Sequence, residues 1–266
     1  MRAATQMSER AIQWGRLWGA RAQDWALSEE QQLPTYLEAI RRVGMSRGQR
    51  VLEVGCGTGV FLRAAADRGA EVYGLDASGP LLALARERVP EADLSLGDLE
   101  ALPYDDDTFD VVAGFNAFFF AVDMVAALHE AGRVAKAGAP VVIQVWGRHE
   151  RCDLEAMKDV VRPFMPPRPP DAPPDPDLSA AGVLDELAEA AGLRPRESFD
   201  ISWAFEFANE DELGRALVAP AGIAELVGPD RESALQRRIV EALQPFRTPA
   251  GRFRLENEFH FLIAVA

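Results

Sequence analysis

The chain has 266 residues, 48% of them hydrophobic and 26% charged, with a formal net charge of −14 and an isoelectric point near 4.7. That length allows one large core or a core domain with an added cap, and the composition is that of a globular chain rather than a disordered one. An acidic surface repels phosphate backbones, so nucleic acid is excluded as an expected partner.

The first twenty residues, MRAATQMSERAIQWGRLWGA, lack the apolar core of a signal peptide. No stretch approaches the ~20 apolar residues of a bilayer span. The expectation is a soluble, cytoplasmic protein with no membrane partner. Cys56 and Cys152 are the two cysteines, and they read as free thiols of a reducing compartment.

Residues 8–43 read as helical with a break at Pro34, inside an N-terminal cap segment spanning 1–44. Trp14, Trp18 and Trp25 recur at spacings of four and seven, so they share one helical face. From 45 to 208 the pattern is an α/β domain. Strands are expected at Arg50–Val54, Glu71–Leu75, Asp93–Leu96, Phe109–Phe115 and Pro140–Trp146. Helices are expected at Val60–Arg68, Pro80–Arg88 and Val122–Val134. Such alternation implies parallel strands with crossover helices on both faces of one sheet.

A proline-rich stretch at 162–177, RPFMPPRPPDAPPDPD, cannot be a regular helix or a central strand and reads as a stiff connector or lid edge. Ser179 is placed to cap a helix over Ala180–Ala191, closed by Gly192. Phe199–Phe207 reads as a strand. Residues 209–250 form a helical cap insertion, mostly helical to 244, and 251–266 carry a last strand at Glu258–Val265.

The motif VLEVGCGTG at 51–59 joins the first strand to the first helix of this domain. Glycine lets the backbone approach a ligand closely, and the following helix offers free N–H groups. The loop lies where open α/β sheets bind ligands. The pattern is neither G-x-G-x-x-G nor a P-loop. Glu53 would repel a pyrophosphate, so a ligand with a positive amino group fits better. Asp76 lies 21 residues after Gly55 and can accept both ribose hydroxyls, or else cap the next helix, a role open equally to Ser78. Asp98 can accept an exocyclic amine while the Leu99 backbone reads a ring nitrogen; a plain turn aspartate is the other reading.

With VLEVGCGTG, the stretches GLDAS, GDLEALPYDDDTFDVV and HEAGRVAKAGAPVVIQVWG stand in an order and spacing that resembles the class I S-adenosylmethionine-dependent methyltransferases, best over residues 45–147. The resemblance implies a Rossmann-like seven-stranded, mostly parallel sheet with the last strand antiparallel, and a helical cap. It implies S-adenosylmethionine as cofactor. Glu53 and the Gly55–Cys56–Gly57–Gly59 loop would serve the methionine end, Asp76 and Ala77 the ribose, Asp98 and Leu99 the adenine, and Phe115 and Asn116 the methyl side. It also suggests that the N-terminal helix covers the cofactor, with Arg21 near the methionine carboxylate, although core packing of the tryptophans is an equally plain reading. AKAGAP at 135–140 departs from the Leu-x-Pro-Gly-Gly turn usual in relatives.

A methyl donor is already activated, so a base is needed only if the acceptor arrives protonated. His149 follows the fifth strand on the substrate rim and is the candidate base or substrate contact, or else a surface residue. His129 and His260 read as structural. At least one ring of Phe118, Phe119 and Phe120 should face the cavity. Phe118, Phe119, Trp146, Trp18 and Phe164 are the candidate substrate contacts, which favours an apolar or aromatic small molecule. The acids of DDDTFD at 105–110 read as a solvated turn, and no metal is expected. The expected function is methyl transfer to a small molecule. A methyltransferase-fold protein that catalyses cyclisation or rearrangement without methyl transfer is the alternative. A nicotinamide-dependent oxidoreductase and a regulatory module are more distant ones.

Overall fold

The computed structural model describes residues 7–164 and 176–266. Most of the proline-rich stretch, at 165–175, lies outside the described residues. Three helices open the chain: α1 (Glu9–Gly19), α2 (Ala22–Glu29) and α3 (Leu33–Arg42). Ser8 caps α1 through its side chain, which accepts from Ala11 N. Pro34 does not break a helix. It sits in the first turn of α3, where a missing N–H is harmless. The breaks fall instead at Arg21, which leaves helical backbone angles, and at a short 3-10 turn over Glu30–Gln32.

The α/β core follows as β1 (Arg50–Val54), α4 (Val60–Ala66), β2 (Glu71–Asp76), α5 (Gly79–Arg88), β3 (Asp93–Leu96), β4 (Val111–Phe115), α6 (Met124–Val134) and β5 (Pro140–Trp146). After α7 (Lys158–Val161) come α8 (Val183–Ala190) and β6 (Arg194–Phe207). The helices α9 (Glu210–Val218), α10 (Ile223–Val227) and α11 (Pro229–Ala242) lie between β6 and the final strand, β7 (Phe253–Val265). Among the described residues, no helix is long and apolar enough to cross a membrane.

The sheet has seven strands in the order β3-β2-β1-β4-β5-β7-β6. β1 to β5 run parallel, whereas β7 is antiparallel to both β5 and β6. The order reverses at β1, which pairs β2 on one side and β4 on the other. A crevice therefore opens at the carboxyl ends of β1 and β4. β1 and β4 are buried on both faces, as central parallel strands are. Val51, Phe115, Phe259 and Phe261 pack with α3, α4 and the α9–α11 helices on one face. Leu52, Val54, Val112, Ile143 and Leu262 pack with α6 and α8 on the other. Two-residue alternation sets Glu53 on the same face as Val51, where it is 3% exposed.

Two local expectations change. α8 starts at Val183 behind Gly182 in the left-handed region. Ser179 does not cap it, because Asp177 Oδ1 accepts from both Ser179 N and Ser179 Oγ and holds it in a turn. β6 and β7 are also longer than their apolar runs. They pair from Arg194↔Val265 to Phe207↔Phe253, with one irregularity between Pro195 and Glu197. Their outer ends alternate charged and apolar residues, as a half-exposed antiparallel ribbon does.

Gly114 sits in the middle of β4, beneath Phe118. A Cβ there would lie 2.4 Å from a Phe118 ring carbon. Gly114→Ala is expected to lower stability by about 1–3 kcal/mol through overpacking, read as a lower urea midpoint. Adding Phe118→Leu should recover part of the loss, because the two residues touch.

Candidate functional site

The crevice holds a cavity of about 290 Å³. The ends of β1, β2, β4 and β5 form its floor, and α1, α2 and the Pro220–Ala221 turn form its roof. A smaller annex of about 40 Å³ continues toward Asp98 and Leu99.

The glycine loop shapes one end. Gly55 N and Cys56 N donate to Leu75 O at 2.7 and 3.0 Å. Gly57 N donates to Asp76 Oδ2 at 2.9 Å, and Thr58 N donates to the Glu29 carboxylate at 3.0 and 3.1 Å. Gly57 has φ +52°, and a Cβ there would lie 2.8 Å from both Glu29 oxygens. Only glycine combines that backbone with that contact. Asp76 Oδ1 accepts from Ser78 N at 2.8 Å, so Asp76 braces the loop while Ser78 caps α5.

Three carboxylates thus face one cavity: Glu29, Glu53 and Asp76. Glu29 and Glu53 are 4% and 3% exposed. Glu53 Oε2 is buried without a hydrogen-bond partner. Among the described residues, no lysine, arginine or histidine lines this cavity. Burial pushes Glu29 up to about 7, opposed by the Thr58 hydrogen bond and the Arg88 charge. Burial raises Glu53 well above the usual carboxylate range, with repulsion from Glu29 and Asp76 added. Burial also raises Asp76. Acids held this way mark a site for a cation rather than a stabilising device.

Aromatic rings make the walls. Trp18 and Trp25 meet edge to face at 4.7 Å, as do Trp14 and Phe120 at 4.8 Å, while Tyr36 and Phe115 are tilted at 4.5 Å. Trp146 closes the far end, tilted against Phe259 at 4.9 Å. An amide cluster lies beside it. Asn116 Nδ2 and Gln144 Nε2 both donate to Gln32 Oε1, at 3.2 and 3.1 Å. Asn116 holds φ +51°. In the annex, Asp98 Oδ2 accepts from Ser8 N and Ser8 Oγ at 3.1 and 2.6 Å, pinning the start of α1. A Cβ on Gly15 would overlap Ala77 O at 1.9 Å, so α1 lies directly on the turn after β2.

The candidates from the sequence divide. Glu53, Gly55, Gly57, Asp76, Ala77, Leu99, Phe115, Asn116, Phe119, Trp18 and Trp146 line the main cavity, and Asp98 lines the annex. The side chain of Cys56 turns into the core against Gly74, where a Cβ would lie 2.8 Å from its Sγ. Gly59 is a left-handed cap of α4 against Ala85. Phe118 is 1% exposed and packs in the opposite core cluster, while Phe119 and Phe120 face the cavity. Phe164 packs beside the core under the Arg231 guanidinium. His149 leaves the rim: its side chain is 64% exposed and pairs with Glu155 at 3.1 Å. Arg21 pairs with Glu232 instead of facing the cavity. His129 meets Ala191 O, and His260 meets Asp200. Asp106 pairs with Arg133, and Asp110 with Lys136. Glu29, Gln32 and Tyr36 are cavity residues that the sequence reading passed over.

Comparison with known proteins agrees with this geometry. The Methyltransferase domain family matches residues 52–143. An uncharacterised protein of Mycobacterium tuberculosis is 30% identical over 233 residues, covering 82% of this chain and 83% of its own. The demethylmenaquinone methyltransferase of Renibacterium salmoninarum is 39% identical over 101 residues, 38% of this chain and 43% of its own. The chain belongs to the class I S-adenosylmethionine-dependent methyltransferases. Among solved structures, the [4+2]-cyclase SpnF superposes with a TM-score of 0.59 at 21% identity, over 88% of this chain and 80% of that one. The YcgJ protein of Bacillus subtilis does so at 0.56 and 17%, over 86% and 97%. At those identities the likeness is one of fold.

The cofactor of this methyltransferase family carries a sulfonium and an ammonium. The cavity fits it: an unpartnered Glu53 oxygen, two further acids and a side-chain-free loop stand at one end. The acids burden the protein when no ligand is present. The raised value of Glu29 lies above its ordinary 4.5. Its stabilising contribution is complete below pH 4.5 and is lost as pH rises toward 7. Glu29→Gln keeps an acceptor for Thr58 N. In urea titrations without ligand it should be close to wild type at pH 5 and more stable by ~2–3 kcal/mol at pH 8.

Proposed function

We propose that the protein transfers a methyl group from S-adenosylmethionine to an apolar or aromatic small molecule held between the aromatic walls. What carries this reading is the polarity of the cavity, with carboxylates and, among the described residues, no lysine, arginine or histidine at the glycine end, and Tyr36, Phe115, Phe119 and Trp146 beyond. The cofactor supplies an activated methyl group, open to in-line displacement. The protein's own share is to hold and align. In this reading Asp76 accepts the ribose hydroxyls, Asp98 and the Leu99 backbone take the adenine, and Glu53 with the Gly55 and Gly57 backbone takes the methionine end. Phe115 and Asn116 flank the methyl side, and Trp18, Phe119 and Trp146 contact the acceptor. Aromatic faces stabilise a nearby cation and exclude water from it. In this reading the acceptor either presents a nucleophile that needs no deprotonation or gives its proton to one of the lining carboxylates.

A roofed cavity favours a small molecule over a docked macromolecule, and a surface of net charge −14 disfavours nucleic acid. Two buried free thiols suit a reducing, cytoplasmic setting. A second reading is cyclisation or rearrangement with the cofactor as a fixed cation. The fold shared with the [4+2]-cyclase SpnF supports it.

Incubation with methyl-labelled S-adenosylmethionine and a panel of apolar aromatic acceptors separates the two. Methyl transfer releases S-adenosylhomocysteine in step with product. Cyclisation consumes acceptor and leaves the cofactor intact. Asp76→Ala should weaken S-adenosylhomocysteine binding by about 1–3 kcal/mol in calorimetry, with a urea midpoint confirming that the variant is folded. Unchanged affinity would reject the ribose assignment.

A further inference from the structure

Glu29 stands where no sequence motif points. It is the last residue of α2, yet its carboxylate reaches the glycine loop and fills the space a side chain at Gly57 would need. Its charged neighbours come from every element around it. β1 presents Glu53, the turn after β2 presents Asp76, α3 presents Tyr36, the loop itself presents Cys56, and α5 presents Arg88. Arg88 is the one cation among them. Its guanidinium is already engaged by Thr58 O at 2.9 Å, by Thr58 Oγ1 and by Glu30. Thr58 therefore supplies the partners of Glu29, through its backbone N–H and its side chain, and neither is a cation, while Glu53 beside it has an oxygen with no partner.

We propose that Glu29 is a further binding residue of this site, that it takes the ammonium of the cofactor's amino-acid end together with Glu53, and that binding expels a proton from Glu29 to solvent. The inference rests on the cofactor reading above. Its physics is simple. An ammonium placed between two crowded carboxylates removes their mutual repulsion and stabilises the ionised form of both. In the empty site Glu29 is pushed up to about 7, half-protonated at neutral pH and largely protonated below it, so ligand and proton compete for it. The N-terminal helices thereby contribute a charge to the site as well as a roof. An amino-acid arm is recognised by a residue brought in from outside the α/β domain.

The test is isothermal titration calorimetry on the full chain with two ligands. S-adenosylhomocysteine carries the amino-acid arm, and 5′-methylthioadenosine has the same nucleoside and thioether without it. Wild type should bind S-adenosylhomocysteine about tenfold more weakly at pH 6 than at pH 8. Buffers of different ionisation enthalpy should count about half a proton released at pH 7. Binding of 5′-methylthioadenosine should change little with pH. In Glu29→Gln, S-adenosylhomocysteine should bind about tenfold more weakly at pH 8 with the proton release reduced, and 5′-methylthioadenosine should bind as in wild type. A variant that releases as many protons as wild type overturns the proposal and moves the linkage to Glu53 or Asp76. A variant that weakens both ligands equally also overturns it, because Glu29 then only holds Thr58 in place. If wild type binds neither ligand, the cofactor reading itself fails and the proposal falls with it.

Discussion

Burying carboxylates without cations is the constraint around which this molecule is arranged. Glu29, Glu53 and Asp76 would each be more comfortable in water, and proximity raises the cost of ionising any one of them. The chain accommodates two of them with backbone amides from one short loop. Asp76 receives Gly57 N and Ser78 N, and Glu29 receives Thr58 N. Side-chain-free positions are what allow the amides and acids to come so close. The loop is therefore held from two sides, by β2 and by α2. Its shape depends on the N-terminal helices as much as on the strand it leaves.

That dependence explains the construction of the roof. α1 rests on the turn after β2 through Gly15, where any side chain would strike Ala77 O. Its cap residue is pinned by Asp98. Arg88 ties Thr58 to Glu30. Each contact joins the roof to a residue at the carboxyl edge of the sheet, so roof and floor share one set of hydrogen bonds. The tryptophans complete the enclosure. Exclusion of water then strengthens every electrostatic interaction inside, including the unfavourable ones.

Much of the α/β core was legible because its signals are local. A strand ending in glycines, an acid 21 residues later and a short apolar run before Asp98 are read within a few residues of one another. Glu29 was not legible in that way. It lies in the polar run SEEQQ, which reads as solvated surface. Yet the tryptophan stripe continues through it: Trp18, Trp25, Glu29, Gln32 and Tyr36 follow at intervals of seven, four, three and four. Those intervals would keep one face of a continuous helix; the chain breaks twice along them, yet all five residues line the cavity. Reading the stripe by period alone, without requiring apolar letters, would have found them. His149 failed for another reason. Its place after β5 was clear, but side-chain direction depends on a tertiary contact. Arg148 is drawn to Glu258 at 2.8 Å, and the chain turns His149 outward.

A constellation of reactive groups elsewhere shows why the cavity, rather than residue type, locates the chemistry. Ser198 Oγ lies 3.4 Å from His260 Nε2, and His260 Nδ1 lies 2.6 Å from Asp200 Oδ1. Those are the contacts of a nucleophile, a base and the acid that orients it. They sit on the β6–β7 pair at the outer edge of the sheet. None of the three residues lines either cavity. The trio ties two strands together across their pairing. The cavity is the reverse case: it encloses a volume and gathers three carboxylates against aromatic walls, and enclosure makes each charge inside count for more.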